Sequence, residues 1–290
     1  SFERVFEVLD LEPMVRDKAK TVDISTSRLS IRFENVHFTY PKGSEISLAS
    51  LESAAREAQM ESGEILKGIT FEIPAGKMTA LVGYSGSGKS TISSLIPRLY
   101  DVTSGSIKIN ETDLRDFRLK SLRNAVGVVT QDSHMFHESI AANLRYAKPE
   151  ATEDELIAVC RSAQIWDFVK TLPNGLETIV GDRGHRLSGG ERQRLAIARL
   201  LLKSPQIVIL DEATAHLDSE NEALVQSALN EALQNRTSLV IAHRLSTVHH
   251  ADQIIVLDSG SIVEKGRHEE LISAKGAYAD LYNRQVFASK

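Results

Sequence analysis

The spacing of hydrophobic residues changes several times along the chain, and each change marks a different predicted element. Near the N-terminus the apolar residues fall at i, i+3, i+4 and i+7, as on one face of a helix: Phe2, Val5, Phe6 and Leu9. Pro13 ends this pattern because proline has no backbone N–H to continue a helix, and a polar, charged stretch follows it. We therefore predict a short helix and then a linker over residues 1–28.

From Leu29 the apolar residues follow the two-residue period of a strand. They are Ile31, Phe33, Val36, Phe38 and Tyr40, with one interruption of the alternation. A second strand fits residues 69–73, and the two predict an antiparallel β layer near the N-terminus. Between them, residues 43–62 are rich in helix-forming residues but have a weak apolar side, which predicts an exposed helical insertion.

After Lys77 the pattern becomes that of a parallel α/β sheet. Continuous apolar runs, typical of strands buried on both faces, occupy residues 78–82, 206–210 and 238–242. Several of the predicted helices begin with Ser or Thr followed three residues later by Glu, the spacing of a capping box: Thr152–Glu155, Ser188–Glu191 and Ser219–Glu222. We therefore predict an α/β fold whose mostly parallel sheet is covered by helices on both faces.

Composition narrows the class of protein further. Of the 290 residues 42% are hydrophobic and 25% charged, which is typical of a globular chain. The 34 Lys and Arg residues against 39 Asp and Glu residues leave a net charge of −5, and broad nucleic-acid binding needs a basic surface instead. A single cysteine, Cys160, excludes an intrachain disulfide framework and a cysteine-rich zinc site, and it fits a reducing compartment.

The relation of the chain to a larger protein can also be predicted. The chain has no run of about 18 apolar residues, so we expect no membrane span within it. The first residues, Ser1-Phe2-Glu3-Arg4, are neither an initiator methionine nor a signal peptide. We therefore expect the chain to be a piece of a longer protein.

Residues 83–90 match the phosphate-binding pattern G-x-x-x-x-G-K-[ST]. The match follows an apolar strand and opens a predicted helix, where backbone N–H groups and the helix dipole can hold phosphate. We expect Lys89 to reach the β- and γ-phosphates and the Ser90 hydroxyl to bind Mg²⁺. A glycine-rich turn with an exposed lysine is the alternative. The nucleotide-binding residues predicted here are Gly83, Tyr84, Ser85, Gly86, Ser87, Gly88, Lys89, Ser90 and Thr91.

Two acidic residues follow the apolar run of residues 206–210. A phosphate-binding loop needs a partner for its metal ion, and Asp211 is predicted to hold Mg²⁺, through water. Glu212 is the next residue and is predicted to be the base that orients and deprotonates an attacking water. A strand that ends in two solvated acids is the alternative interpretation.

Residues 187–194, Leu-Ser-Gly-Gly-Glu-Arg-Gln-Arg, resemble the signature motif of the ATP-binding cassette family. Ser188 is predicted to cap a helix whose first turn holds Gly189 and Gly190, so that a hydroxyl and backbone N–H groups face outward as an anion site. The resemblance implies that the signature segment of one subunit closes on the ATP held by the other, in a head-to-tail dimer with two buried ATP molecules.

Further positions resemble the functional residues of the same family. The resemblance assigns Gln131 to the sensing of Mg²⁺ and the attacking water, His243 to the γ-phosphate, and Asp218 to the loop that crosses the dimer interface. Tyr40 resembles the aromatic residue that stacks on adenine, and a strand aromatic in the core is the alternative. His216 departs from the pattern, since serine is commoner there.

Four segments resemble the exporter branch of the family: residues 1–10, 181–184, 244–248 and 258–266. The resemblance implies a nucleotide-binding domain of an exporter over residues 29–290, with a P-loop NTPase (RecA-like) core and a helical subdomain over about residues 132–203 that carries the signature. It implies ATP and Mg²⁺ as cofactors, and a place at the cytoplasmic face of a membrane. The implied partners are transmembrane domains of the same or another chain and a second cassette, identical or not, without nucleic acid.

Three other kinds of protein within this superfamily are less consistent with the sequence. ATPases of DNA repair insert long coiled coils between the phosphate loop and the signature, and no sustained heptads lie there, while translation-linked members carry two cassettes in one chain. A regulatory cassette without catalysis predicts that Glu212 or His243 is missing, and both are present. We therefore expect an ATPase that powers transport.

Overall fold

The computed structural model describes residues 13–25, 28–41, 63–130, 133–181, 184–211, 219–241 and 248–288. The predicted N-terminal helix, residues 2–9, and the predicted helical insertion at residues 43–62 lie outside these ranges. Within them the bounds of the strands are β1 (Ile31–Phe38), β2 (Leu66–Ile73), β3 (Met78–Gly83), β4 (Ser104–Ile109), β5 (Thr112–Asp113), β6 (Val126–Val129), β7 (Ile207–Asp211), β8 (Thr237–Ile241), β9 (Gln253–Asp258) and β10 (Ser261–Gly266).

Helices connect most of the strands in the second half of the fold. Their bounds are α1 (Lys89–Leu95), α2 (Leu119–Ala125), α3 (Ile140–Arg145), α4 (Glu153–Ser162), α5 (Trp166–Thr171), α6 (Gly189–Lys203), α7 (Ser219–Leu233), α8 (His268–Ala274) and α9 (Ala277–Ala288). The capping boxes predicted at Thr152 and Ser188 are confirmed, because each hydroxyl accepts from a backbone N–H and each glutamate accepts in return.

The strands form two sheets. A four-stranded antiparallel sheet has the order β2-β1-β4-β5. The antiparallel pair of β1 and β2 was predicted from the sequence, whereas β4 and β5 were not. A six-stranded sheet has the order β10-β9-β3-β8-β7-β6, and all of its pairings are parallel except that of β9 with β10. The predicted α/β fold with a mostly parallel sheet and an antiparallel N-terminal layer is therefore confirmed.

The alternation of side chains along β7 shows how the central sheet is covered. Ile207 and Ile209 face the antiparallel sheet and α1, whereas Val208 and Leu210 face the helices α3 to α7. All four are buried, so the strand has apolar partners on both faces, as its continuous apolar run predicted. Across the part of the chain that the structure describes, no helix is both long and apolar enough to cross a membrane.

Candidate functional site

The loop between β3 and α1 has the backbone shape of a phosphate cradle. Gly83, Gly86 and Gly88 have φ angles of 152°, 80° and 104°, which L side chains rarely adopt. Gly88 is the N-cap of α1, and it makes no side-chain capping hydrogen bond to the first N–H groups of that helix. These N–H groups are therefore available to an anion from outside the helix.

The space around the same glycines explains why larger residues are excluded. A Cβ on Gly83 would lie 2.2 Å from the carbonyl oxygen of Leu257, and one on Gly88 would lie 2.8 Å from Cδ2 of Leu66. At Gly86 a Cβ would meet no described atom within 4 Å. The loop is thus closely packed at its two ends and open at its middle, which fits a bound phosphate group.

Lys89 opens α1 and lies beneath this loop. It is only 6% exposed, and its ammonium donates to the carbonyl oxygens of Gly83 at 2.9 Å and Tyr84 at 2.8 Å. A third contact reaches the Ser87 hydroxyl at 3.4 Å. Burial of a cation is unfavourable unless hydrogen-bond acceptors surround it. The carbonyl groups of the loop therefore stabilise the Lys89 ammonium close to the proposed position of the phosphates. The exposed lysine of the alternative interpretation is wrong.

Asp211 ends β7 and is connected to α1. The Ser93 hydroxyl lies 3.2 Å from Oδ2 of Asp211 and 2.8 Å from the Ser90 carbonyl oxygen. The fold therefore brings the carboxylate of Asp211 to the helix that carries Ser90, whose side chain is exposed. A carboxylate and a hydroxyl are the oxygen ligands that Mg²⁺ prefers.

Tyr40 lies just after β1 and also contacts α1. Its hydroxyl lies 3.0 Å from the hydroxyl of Thr91. Its ring packs edge-on against Phe38 and Tyr100, with centroid distances of 4.8 and 5.3 Å, and it is half-buried. Tyr40 therefore lies beside the phosphate loop, anchored on one side by other aromatic rings.

The signature segment forms the start of α6. Ser188 is the N-cap, its hydroxyl accepts from the Glu191 N–H at 3.2 Å, and the Glu191 carboxylate accepts from the Ser188 N–H at 2.6 Å. Ser188 and Gly189 are exposed, whereas Gly190 is buried. The Ser188 oxygen accepts in this capping box, so its own O–H remains able to donate outward.

Buried polar contacts join α6 to the segment after β6, and they were not predicted from the sequence. Asn143 is 1% exposed, accepts from the Phe136 N–H at 2.9 Å and donates to the carbonyl oxygens of Phe136 and Ser139, each at 3.0 Å. Arg199 of α6 donates to the Asn143 side chain and to the His134 carbonyl oxygen, and burial lowers the pKa of this guanidinium.

A second contact of the same kind lies closer to the signature. The Ser133 hydroxyl donates to Oε1 of Gln193 at 2.7 Å, and Gln193 is 3% exposed. The sequence feature that could have predicted these contacts is the presence of polar residues on the buried face of a helix, because such residues need hydrogen-bond partners. Together these contacts connect α6 to the residues that follow Gln131.

Several predicted site residues lie outside the described residues: Gln131, Glu212, Asp218 and His243. The structure brings together the phosphate loop, Asp211 and Tyr40 around α1, and it places the signature segment at the start of α6. The roles of the individual residues stay predictions.

Comparison with protein families identifies what the chain resembles. A family model described as "ABC transporter" matches residues 66–215, which include the phosphate loop, the signature segment and Asp211. "ABC transporter B family member 6" of Dictyostelium discoideum is 45% identical over 99% of this chain and 42% of the relative. The "ATP-dependent lipid A-core flippase" of Salmonella typhimurium is 46% identical over 97% of this chain and 45% of the relative.

Solved structures give the same resemblance. The structure of a bacterial Atm1-family ABC exporter with ATP bound matches with a TM-score of 0.86 and 39% identity, over 98% of this chain and 46% of the other. The chain thus spans less than half the length of each of these relatives. None of them is a protein of DNA repair or translation, so that alternative gains no support.

Proposed function

The chain belongs to the ABC transporter family, and from that premise we propose that it is the domain that binds and hydrolyses ATP to power an exporter. One observation carries the proposal: a glycine cradle, a buried lysine and a carboxylate converge on the start of α1. The groups that we propose to hold a nucleoside triphosphate therefore lie close together within one domain. The match to ABC exporters over nearly the whole chain supports the same proposal.

ATP binding follows from the geometry of the loop. The N–H groups at the start of α1 and the Lys89 ammonium would hold the β- and γ-phosphates. Lys89 is already held by the carbonyl groups of Gly83 and Tyr84, so little rearrangement is needed when ATP arrives. Tyr40, beside Thr91, would stack on the adenine ring.

The residues around α1 also fit a magnesium ion. Ser90, Asp211 and Gln131 are the residues that we propose as its ligands, directly or through water. Mg²⁺ bound with ATP neutralises charge on the phosphates and favours their transfer to water.

Hydrolysis requires a base close to the γ-phosphate. We propose that Glu212, which directly follows Asp211 at the end of β7, accepts a proton from water as the water oxygen forms a bond to the γ-phosphorus. The bond from that phosphorus to the oxygen bridging the β- and γ-phosphates then breaks, giving ADP and inorganic phosphate. His243 contacts the γ-phosphate, and Gln131 orients the attacking water.

A second cassette completes the site in this proposal. Ser188 and Gly189 are exposed at the start of α6, so the signature segment can face another molecule. We propose that it closes on the γ-phosphate of ATP bound to the phosphate loop of the partner, with Asp218 at the interface. ATP binding would then bring two cassettes together, and hydrolysis would separate them.

Transmembrane domains are the second kind of partner in this proposal. Binding to them would locate this nucleotide-binding domain at the cytoplasmic face of a membrane. A groove of about 510 Å³ lies between residues 133–135 and residues 185–187. Beside it, a groove of about 370 Å³ includes Phe136 and Tyr146, which are 44% and 57% exposed. We propose that transmembrane domains dock here, against a helical subdomain at about residues 132–203 that includes α6.

The experiment that tests the function is a comparison of the chain with its Glu212→Gln variant. Steady-state release of phosphate should fall by about a hundred- to ten-thousandfold in Glu212→Gln, because general-base catalysis has that magnitude. Calorimetric titration should give the same ATP affinity for both, since the substitution keeps the shape of the side chain. Glu231→Gln, a change on α7, serves as the control. Unchanged phosphate release in Glu212→Gln, or no ATP binding by the wild-type chain, would contradict the proposal.

A further inference from the structure

The C-terminal helix α9 packs against the strand that leads into the phosphate loop. Tyr278, Leu281 and Tyr282 lie at i, i+3 and i+4 on one face of this helix. They belong to the same apolar cluster as Ala80 and Val82 of β3. Val82 is followed directly by the first glycine of the loop. The packing of α9 therefore fixes where this helix lies relative to the loop.

Polar contacts anchor the start of α9 as well. The N–H groups of Ala277 and Tyr278 donate to the Glu264 carboxylate at 2.6 and 3.0 Å, and a carboxylate at a helix N-terminus also stabilises the helix dipole. The Tyr278 hydroxyl lies 2.7 Å from Nδ1 of His268. Burial raises the pKa of Tyr278 to about 12, so the phenol stays protonated at neutral pH. The beginning of α9 is thus held to β10 and α8.

Arg284 comes two residues after Tyr282 in α9, and its side chain contacts the phosphate loop. Its guanidinium carbon lies 5.9 Å from the centre of the Tyr84 ring, within the range of a cation–π contact. Tyr84 is 48% exposed, and its carbonyl oxygen accepts from Lys89. Two cations therefore hold one residue of the loop, Lys89 at the main chain and Arg284 at the ring.

We propose that Arg284 is a positioning residue for nucleotide binding: it holds the Tyr84 ring and so keeps the loop in the conformation that receives phosphates. The proposal rests on the proposed function, because it concerns ATP at this loop. A loop that is already held loses less conformational freedom when ligand binds, and affinity gains by that difference. The C-terminal helix then contributes to the nucleotide site from about 200 residues away in the sequence.

A double-mutant cycle tests this contact, with ATP affinity measured by isothermal titration calorimetry on the 290-residue chain. Arg284→Gln should weaken ATP binding by about two- to fivefold, the size of an exposed cation–π contact. Arg284→Lys should restore most of that loss, because an ammonium also binds the face of a tyrosine ring. In a Tyr84→Ser background, Arg284→Gln should cause no further loss, since the contact is already absent.

A charge control separates positioning from general attraction between a cation and ATP. Lys275→Gln removes an exposed positive charge from the end of α8, and we expect it to leave the affinity unchanged. If Arg284→Gln weakens binding by the same factor in the Tyr84→Ser background as in the wild-type chain, the cation acts by charge alone and the proposal is wrong. It is equally wrong if Arg284→Gln binds ATP as tightly as the wild type.

The outcome for Arg284 can be told apart from the outcome for ATP binding itself. Lys89→Ala is titrated in the same series, and thermal unfolding followed by circular dichroism verifies that every variant is folded. Weaker binding in Lys89→Ala than in the wild type establishes the site, and the cycle then decides about Arg284 alone. If the wild-type chain binds no ATP, the proposed function fails, and the proposal for Arg284 fails with it.

Discussion

The helices α1 and α6 both begin at glycines, but the backbone N–H groups of their first turns differ in their partners. At α1 the N-cap is Gly88, in a left-handed conformation and without a side-chain capping hydrogen bond. At α6 the side chains of Ser188 and Glu191 each bond the other's N–H group. The start of α1 therefore suits the anion site that we propose within this chain, whereas side chains of α6 already bond two of the N–H groups at its own start. This difference supports the proposal that the signature segment completes an ATP site formed mainly by another molecule.

The glycines at the two helix starts also have different reasons to be glycine. Gly83 and Gly88 have φ angles of 152° and 104°, and a Cβ on either would approach a neighbour too closely. Gly189 is the first residue of α6, in helical conformation, and is exposed. The fold thus requires glycine at Gly83 and Gly88, whereas the backbone conformation at Gly189 is one that other residues also adopt. Contact with something outside the chain would explain a glycine there.

The largest expected effect separates hydrolysis from binding at the signature. Ser188→Arg places a bulky side chain at the start of α6 and should slow steady-state ATP hydrolysis by about a hundredfold or more, since small displacements of reacting groups have that effect. ATP affinity of the single chain should not change, because the phosphate loop is intact. Ser188→Thr keeps the hydroxyl and serves as the control. A matching loss of ATP affinity in Ser188→Arg would show that the segment contacts the nucleotide of its own chain.

The corresponding change in the phosphate loop acts on binding. Lys89→Ala removes the ammonium that we propose to bind phosphate and should weaken ATP affinity by about ten- to a hundredfold, measured by calorimetry. Lys120→Ala removes an exposed lysine from α2 and should leave the affinity unchanged. Equal affinities of Lys89→Ala and the wild type would refute the assignment of Lys89.

The contrast between the glycines can be tested through stability. Gly88→Ala forces an alanine into a left-handed conformation and against Leu66, so the free energy of unfolding should fall by about 1–3 kcal/mol. Gly189→Ala should leave it unchanged or raise it by up to about 1 kcal/mol, because alanine favours a helix. Urea unfolding of both variants measures the difference. A large destabilisation by Gly189→Ala would mean that the fold itself requires this glycine.

The smallest effect concerns the capping box of α6. Glu191→Ala removes the acceptor for the Ser188 N–H and should lower the free energy of unfolding by about 1 kcal/mol in urea. Glu191→Gln keeps an acceptor and should lose less. ATP affinity should stay the same in both variants, and a change in it would connect the capping box to the phosphate loop.

The sequence predicted the parts of the fold that depend on local pattern. The apolar run before Asp211 predicted a buried parallel strand, and the spacing of Ser188 and Glu191 predicted a capping box. The structure contains both. The glycine spacing of residues 83–90 predicted the loop, because left-handed backbone angles restrict the residue type. These features are set within a few residues of sequence.

Contacts between distant segments could not be predicted in this way. Asn143 and Arg199 meet 56 residues apart, and nothing in the spacing of either residue identifies the partner. The same holds for Arg284 and Tyr84, which meet only because α9 packs on β3. The partners of such side chains depend on tertiary packing and become visible only in the folded chain.

The most direct test of the shared site is the mass of the Glu212→Gln variant, measured by size-exclusion chromatography with light scattering. We predict a single chain without nucleotide and a dimer with Mg-ATP, because slow hydrolysis preserves the closed state. Adding Ser188→Arg should return the protein to a single chain that still binds ATP. A single chain of Glu212→Gln at saturating Mg-ATP, or a dimer that persists in the Ser188→Arg background, would contradict the head-to-tail site.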